Sequence, residues 1–292
     1  MENLNAAKKP HSPMPDSIRL ALAQMAVSEN LAASIDKGIG WVKQAAQAGA
    51  KIICFTELGL LPFFPQYRAE KKFFQWAEAL DGPTIQRFRE AASREHLHIL
   101  LNIFERANPG EYYDTTVLLK ADGGPTLGPV RMMHIAEEPG FNEKFYYWPG
   151  NTPPQVFDLN GVKVGVAICY DRHFPEYMRQ LVLQGAEMIF TPFAGLVNDP
   201  LQMYEIEMQG AAFQNQVFIA AVNRAGKEPA AEFIGGSFVV DPAGEIISRA
   251  PRGEEKLLLV DCDLARIEEM RQARPFLRDR RPEVYASWLQ RK

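Results

Sequence analysis

Apolar residues along this chain follow two rhythms. Short unbroken runs rich in β-branched residues occur at 18–25, 52–55, 98–104, 164–168, 187–191, 217–222 and 256–260, and they read as buried strands. Between them lie stretches with helical spacing. Across 31–48, Leu31, Ile35, Ile39, Val42, Ala45 and Ala46 share one helical face, and Gly49 closes that helix. Further helices are predicted from Pro83 to about His96, from Pro175 onward, across 200–215 and from near Asp263. Two hairpins are predicted. One joins 112–120 to 126–131 through Asp122-Gly123-Gly124, and the other joins 233–240 to 245–249 through Asp241-Pro242-Ala243-Gly244. Strands alternating with helices predict one α/β domain, and the hairpins make its sheet mixed. Residues 1–17, with Pro10, Pro13 and Pro15, read as a flexible arm, and residues 18–292 as a single domain with a C-terminal extension. The stretch 132–154 has little periodicity, and irregular segments of that length inside a domain are usually functional.

Composition narrows the classes. A chain of 292 residues that is 47% hydrophobic can bury a large core. A net charge of −4 offers no electrostatic footprint for nucleic acid or an anionic membrane surface. No apolar run approaches a membrane span, and the N-terminal residues lack the apolar core of a signal peptide. Cys54, Cys169 and Cys262 form neither an even set nor a metal-type spacing, so a cytoplasmic protein without a metal or cofactor is expected.

The candidate chemistry gathers where strands end. Cys169 follows the run 164–168 and precedes the helix that Pro175 opens. Ligands of α/β sheets collect at the carboxyl ends of strands, and the first N–H groups of a helical turn favour a thiolate and can hold an oxyanion. A free cysteine is also a common inert core residue, and position alone leaves both readings open. Glu57 lies just beyond the strand at 52–55, where partial desolvation raises a carboxyl pKa toward that of a general base, although a solvated turn glutamate fits equally. Glu143 sits in the irregular stretch beside Lys144. Arg172, three residues past the cysteine, is placed either to clamp a carboxylate through its fork or to pair with Asp171 or Glu176. His134 and His173 are candidate partners for a papain-like thiolate, but neither carries that local signature. No G-x-S-x-G elbow, phosphate loop or metal-spaced cluster is present.

Taken in order, Phe55-Thr56-Glu57-Leu58, Met133-His134-Ile135, Phe141-Asn142-Glu143, Ala167 to His173, Gly235-Gly236-Ser237 and Asp241-Pro242 resemble the nitrilase, or carbon–nitrogen hydrolase, superfamily. The resemblance runs from about residue 18 to residue 260. The strings around Cys169-Tyr170 and from Phe141 to Asn151 further resemble the branch of ureidopropionases and N-carbamoyl-amino-acid hydrolases. It implies a four-layer α-β-β-α sandwich completed by pairing of two protomers, hence a homodimer or higher homo-oligomer. It also implies hydrolysis of a non-peptide amide, carbamoyl or nitrile C–N bond in a small molecule bearing a carboxylate. Carried onto matching positions, Cys169 is the nucleophile, Glu57 the base and then the acid, and Glu143 an orienting carboxylate. The N–H of Tyr170 contributes to the oxyanion hole, and Arg172, with His134, His173 and Tyr170 around it, holds the substrate.

One position departs from the family pattern. Where the resemblance places a catalytic lysine, two residues before His134, this chain has Met132. Methionine donates no hydrogen bond, and losing one oxyanion donor costs roughly 3–4 kcal/mol of transition-state stabilisation. Glu57 and Glu143, without a cation between them, are expected to repel, so that one stays protonated. Two alternatives follow beside a slow hydrolase: a silent relative that binds a carboxylated ligand, or a variant made to trap substrate.

Overall fold

The computed structural model describes residues 15–28 and 30–288; of the arm predicted at 1–17, residues 1–14 lie outside the described residues. The first half of the chain contributes β1 (Ser17–Gln24), α1 (Leu31–Gln47), β2 (Ile52–Phe55), α2 (Pro83–Glu95), β3 (His98–Asn108), β4 (Glu111–Leu119) and β5 (Leu127–Arg131). A connecting stretch holds two minimal strands, β6 (Glu137–Glu138) and β7 (Phe141–Asn142). The second half contributes β8 (Val156–Leu159), β9 (Val162–Val166), α3 (Pro175–Leu183), β10 (Met188–Phe193), α4 (Leu201–Asn215) and β11 (Phe218–Asn223). It continues with β12 (Ala225–Lys227), β13 (Glu232–Ile234), β14 (Phe238–Val240), β15 (Ile246–Arg249), β16 (Lys256–Asp263), α5 (Ala265–Ala273) and α6 (Pro282–Trp288).

Two six-stranded sheets result, ordered β16-β1-β2-β3-β4-β5 and β8-β9-β10-β11-β14-β15. Each has three parallel strands at its centre and antiparallel neighbours on both sides. The two sheets therefore share one arrangement, although the first is completed by β16 from the end of the chain. Side chains alternate across β1 and β2. Leu20, Leu22, Ile52 and Cys54 enter the core shared with Val164, Val166 and Met188 of the second sheet. Ala21, Ala23, Ile53 and Phe55 face the other way, onto Ile35 and Val42 of α1 and Ile85 and Phe88 of α2. Strands buried on both faces explain their unbroken apolar runs.

The outer layers close by local means. Asn30 caps α1, its side chain accepting the Ala33 N–H at 3.0 Å. Gly38 lets α1 approach α2, since a Cβ there would lie 2.8 Å from Phe88 Cζ. Helices α3 and α4 cover the second sheet. All four layers thus come from one chain, and the expected pairing of two protomers is not needed to build them. The strand predicted at 233–240 is broken into β13 and β14, because Gly235 and Gly236 both take positive φ and a Cβ on Gly235 would lie 2.8 Å from Gln24 Nε2. Strand β8, only four residues long, was not legible. The irregular stretch 132–154 crosses between the two halves and holds a 3-10 turn at Glu143–Phe145.

Candidate active site

The turn after β2 carries Glu57 and is held from three sides. Thr56 Oγ1 donates to Phe193 O at 2.7 Å, joining the end of β2 to the end of β10 in the opposite sheet. Leu58 N–H donates to Asn102 Oδ1 at 2.8 Å, and Leu58 itself takes φ 45°. Arg224, fully buried after β11, donates to Leu58 O at 2.8 Å and to Leu61 O at 2.6 Å. Glu228 balances that guanidinium and also accepts the Phe63 N–H at 2.8 Å. A buried charge is tolerated because every carbonyl and carboxylate around it is a partner. Sequence reading missed Arg224 and Glu228; the signal was a charged residue ending an otherwise apolar strand.

Cys169 opens a 3-10 turn, Cys169–His173, and α3 begins at Pro175, where the sequence places the helix. Cys169 sits at φ 43°, a left-handed conformation costly for a residue with a Cβ. Within the turn, Asp171 N–H donates back to Ile168 O at 2.8 Å. Arg172 donates from Nη1 to Cys169 O at 2.6 Å and lies 4.0 Å from Cys169 Sγ. Its guanidinium is stacked between Phe193 and Tyr204, 4.7 and 4.5 Å from their ring centres, and Nε lies 3.7 Å from Glu207.

Glu143 arrives from the crossing stretch. Asn142 Nδ2 donates to Pro65 O at 2.9 Å, and the Glu143 carboxylate accepts the Ala136 N–H at 3.2 Å. Glu57, Glu143 and Cys169 thereby converge, with one donor atom from each lying within 4.8 Å of the others. Three such atoms could hold a divalent cation; no residue of the set needs one to reach its position. A small cavity of ≈ 30 Å³ opens onto Cys169 and is lined by Tyr170, Arg172, Glu138, Phe193 and Tyr204.

The electrostatics are those of a site without its cation. Glu57 is buried, and no N–H among the described residues donates to either of its oxygens. Its neighbours are the Asp114 carboxyl and the Cys169 thiol, which meet it only by sharing a proton. Burial pushes Glu57 well above the usual carboxylate range, and Asp114 and Glu143 push it further. Burial and then Asp114 raise Glu143 in the same way. The Cys169 thiol is also pushed well up, by burial first and then by Glu57 and Glu143, with Arg172 opposing. The thiolate expected from a helical N–H environment is thus outweighed in the resting site by desolvation and two carboxyls. Asp114, on β4, was not singled out in the sequence; burial raises it to about 6.

Met132 is fully buried on the turn leaving β5, its N–H donating to Asp114 O at 2.9 Å. The expected substrate contacts separate. Tyr170, Arg172 and His173 edge the cavity, but His173 Nδ1 lies 2.7 Å from Glu207 Oε1. His134 is turned away: it stacks on Phe174 with ring centres 3.6 Å apart and holds Asp171 at 2.7 Å. Lys144 is exposed and Lys120 pairs with Asp122.

Residues 19–272 match the carbon–nitrogen hydrolase family. The chain belongs to that family, and its class is that of hydrolases acting on non-peptide C–N bonds. It is 36% identical over 284 residues to an N-carbamoylputrescine amidase of Solanum tuberosum, covering 92% of this chain and 93% of the relative. It is 32% identical to a citrullinase of Francisella tularensis, covering 92% and 97%. Its fold matches the crystal structure of a carbon–nitrogen hydrolase from Helicobacter pylori G27 with a TM-score of 0.88 at 30% identity, covering 94% and 99%. Among the described residues, no helix is long and apolar enough to cross a membrane.

Proposed function

We propose that this chain hydrolyses the carbamoyl group of a small ureido compound, an N-carbamoyl amino acid or a related amide, through a thioester on Cys169. The observation that carries the reading is the convergence of Glu57, Glu143 and Cys169, with Cys169 and Arg172 lining a small cavity. Glu57 takes the thiol proton as Sγ attacks the carbonyl carbon. The tetrahedral oxyanion is held by the Tyr170 N–H, and it collapses as Glu57 returns the proton to the leaving nitrogen. Water, deprotonated by Glu57, then cleaves the thioester. Glu143 holds the segment that walls this space. Relatives named N-carbamoylputrescine amidase and beta-ureidopropionase support this class, and relatives named omega-amidase support the wider amide range.

Arg172 lines the cavity and is assigned the substrate carboxylate. Ammonia release from N-carbamoyl-β-alanine, citrulline, N-carbamoylputrescine and simple amides and nitriles tests the assignment. Arg172→Lys should weaken turnover of the carboxylated substrates at least tenfold more than that of the others; equal losses overturn the clamp. A second reading, a silent binder of a carboxylated ligand, is favoured by one observation, the burial of Met132 beside carboxyls that no cation touches. Three free cysteines fit a cytoplasmic enzyme. Met203, Ile206 and Leu183, exposed on α4 and α3, fit a homodimer or larger homo-oligomer, which sedimentation would size.

A further inference from the structure

We infer that Asp114 is a positioning residue that shares and relays the proton of Glu57, in the place where the family pattern supplies a lysine. The inference rests on the hydrolase reading above and extends it to a residue that the reading does not use.

The hydrogen-bond geometry fixes the roles. Asn102 Oδ1 accepts the Leu58 N–H at 2.8 Å, so the orientation of that amide is determined and its nitrogen must be the donor. Asn102 Nδ2 donates to Asp114 Oδ1 at 2.5 Å. Oδ1 is therefore an acceptor only. Oδ2 is buried and takes no fixed N–H or O–H, and the Glu57 carboxyl is the group that reaches Asp114. Both Glu57 and Asp114 are fully buried. Two carboxylates in such contact cannot both be ionised without a cation, and none among the described residues touches either one. A single proton between them satisfies both. The other ionisable groups facing the pair are Glu143 from the crossing stretch, Cys169 and Asp171 from the nucleophile turn, and the unpartnered hydroxyl of Tyr147.

At rest the proton sits on Glu57 and is donated to the Asp114 carboxylate, because the Asn102 amide stabilises the ionised form of Asp114. A protonated Glu57 cannot accept the proton of Cys169. The step balances if two protons move in sequence. The Glu57 proton passes to Asp114 Oδ2, and the Cys169 proton passes to Glu57 as Sγ bonds to the substrate carbon. Reprotonation of the leaving nitrogen by Glu57 then lets Asp114 return its proton. A lysine at position 132 would make this transfer unnecessary by holding the carboxylates ionised. In this chain Asp114 sets when Glu57 is free to act.

Asp114→Asn is nearly isosteric and keeps an acceptor for Asn102, while its new amide N–H can donate to an ionised Glu57. The acid limb of kcat/KM should move down by about one pH unit or more, and the position of that limb, not the plateau rate, is the readout. The pH dependence of Cys169 alkylation by iodoacetamide, read by mass mapping, should shift in the same direction and needs no turnover. A folded Asp114→Asn protein whose two pH profiles match wild type overturns the inference. A profile that moves upward overturns it as well. If no substrate is hydrolysed, the hydrolase reading fails while the alkylation profile still decides on the shared proton. An alkylation profile unmoved in an active enzyme rejects only the relay.

Discussion

Asp171 binds His134 twice and Met133 once more, and so ties together two turns that are far apart in sequence. Its carboxylate accepts the His134 N–H at 2.9 Å, meets His134 Nδ1 at 2.7 Å, and accepts the preceding Met133 N–H at 3.1 Å. Asp171 belongs to the turn of the nucleophile, and Met133 directly follows Met132. The position of residue 132 relative to Cys169 is thus set by one buried carboxylate. Replacing it by an amide removes acceptor capacity from part-buried donors. Asp171→Asn should lower stability by about 2–3 kcal/mol, measured by urea denaturation, and should slow any turnover out of proportion to KM. An unchanged denaturation midpoint would refute this assignment.

The Arg224–Glu228 pair invites a comparable test on the other wall. Arg224 carries the carbonyls of Leu58 and Leu61, so removing its charge leaves Glu228 buried and unpaired. Arg224→Met alone should cost about 3–5 kcal/mol, whereas the double change Arg224→Met with Glu228→Gln should recover part of the loss. Thermal unfolding of the two variants would show it. A double variant less stable than the single would mean that the hydrogen bonds, and not the stranded charge, carry the cost.

Much of this site was legible because the sequence places chemistry at strand ends. Glu57 and Cys169 each follow a run whose apolar character leaves little doubt about where the strand stops. Asn102 and Asp114 were hidden for the opposite reason. Asn102 lies inside the run His98-Ile99-Leu100-Leu101-Asn102-Ile103-Phe104, and Asp114 lies within a strand whose tyrosines and threonines suit a half-exposed hairpin. They meet because Asn102 pairs in register with Thr116, which makes Asp114 its diagonal neighbour on the same face. Register between β3 and β4 is a tertiary fact with no local signature. His134, placed around the substrate by the resemblance, packs on Phe174 and, with Tyr170, lines a neighbouring depression.

The raised carboxyl of Asp114 also has a consequence for stability. Its value rises from an ordinary 3.8 to about 6 on folding, so the folded state binds its proton more tightly than the unfolded chain does. That contribution is fully present below about pH 4 and is lost as pH rises through about 6. Wild type should therefore lose stability relative to Asp114→Asn between pH 4 and pH 7, by an amount on the order of a few kcal/mol. Denaturation at pH 4.5 and pH 8 checks the sign: the variant should gain on wild type at the higher pH. A difference independent of pH would mean that Asp114 is ionised throughout.

Met132 offers the sharpest test of how far the site has been altered. Its backbone is pinned by Asp114 O on one side, and its carbonyl accepts the Gly150 N–H at 2.8 Å on the other. A substitution there changes the side chain without releasing the turn. Met132→Lys would bring an ammonium toward Asp114, Glu57 and Glu143, lowering their pKa values and leaving Glu57 ionised without the help of Asp114. The same ammonium would hold the oxyanion, and turnover of the best carbamoylated substrate should rise by a factor on the order of a hundred or more. Desolvation acts against this, because a buried lysine without a partner gives up its charge. Three carboxyls around one ammonium supply that partner several times over, so the charge survives. Steady-state kinetics of wild type, Met132→Lys and Cys169→Ala would measure the gain over background. A folded Met132→Lys protein no faster than wild type would show that Asn102 and Asp114 have rebuilt the site around methionine, and the silent binder would then displace the slow hydrolase.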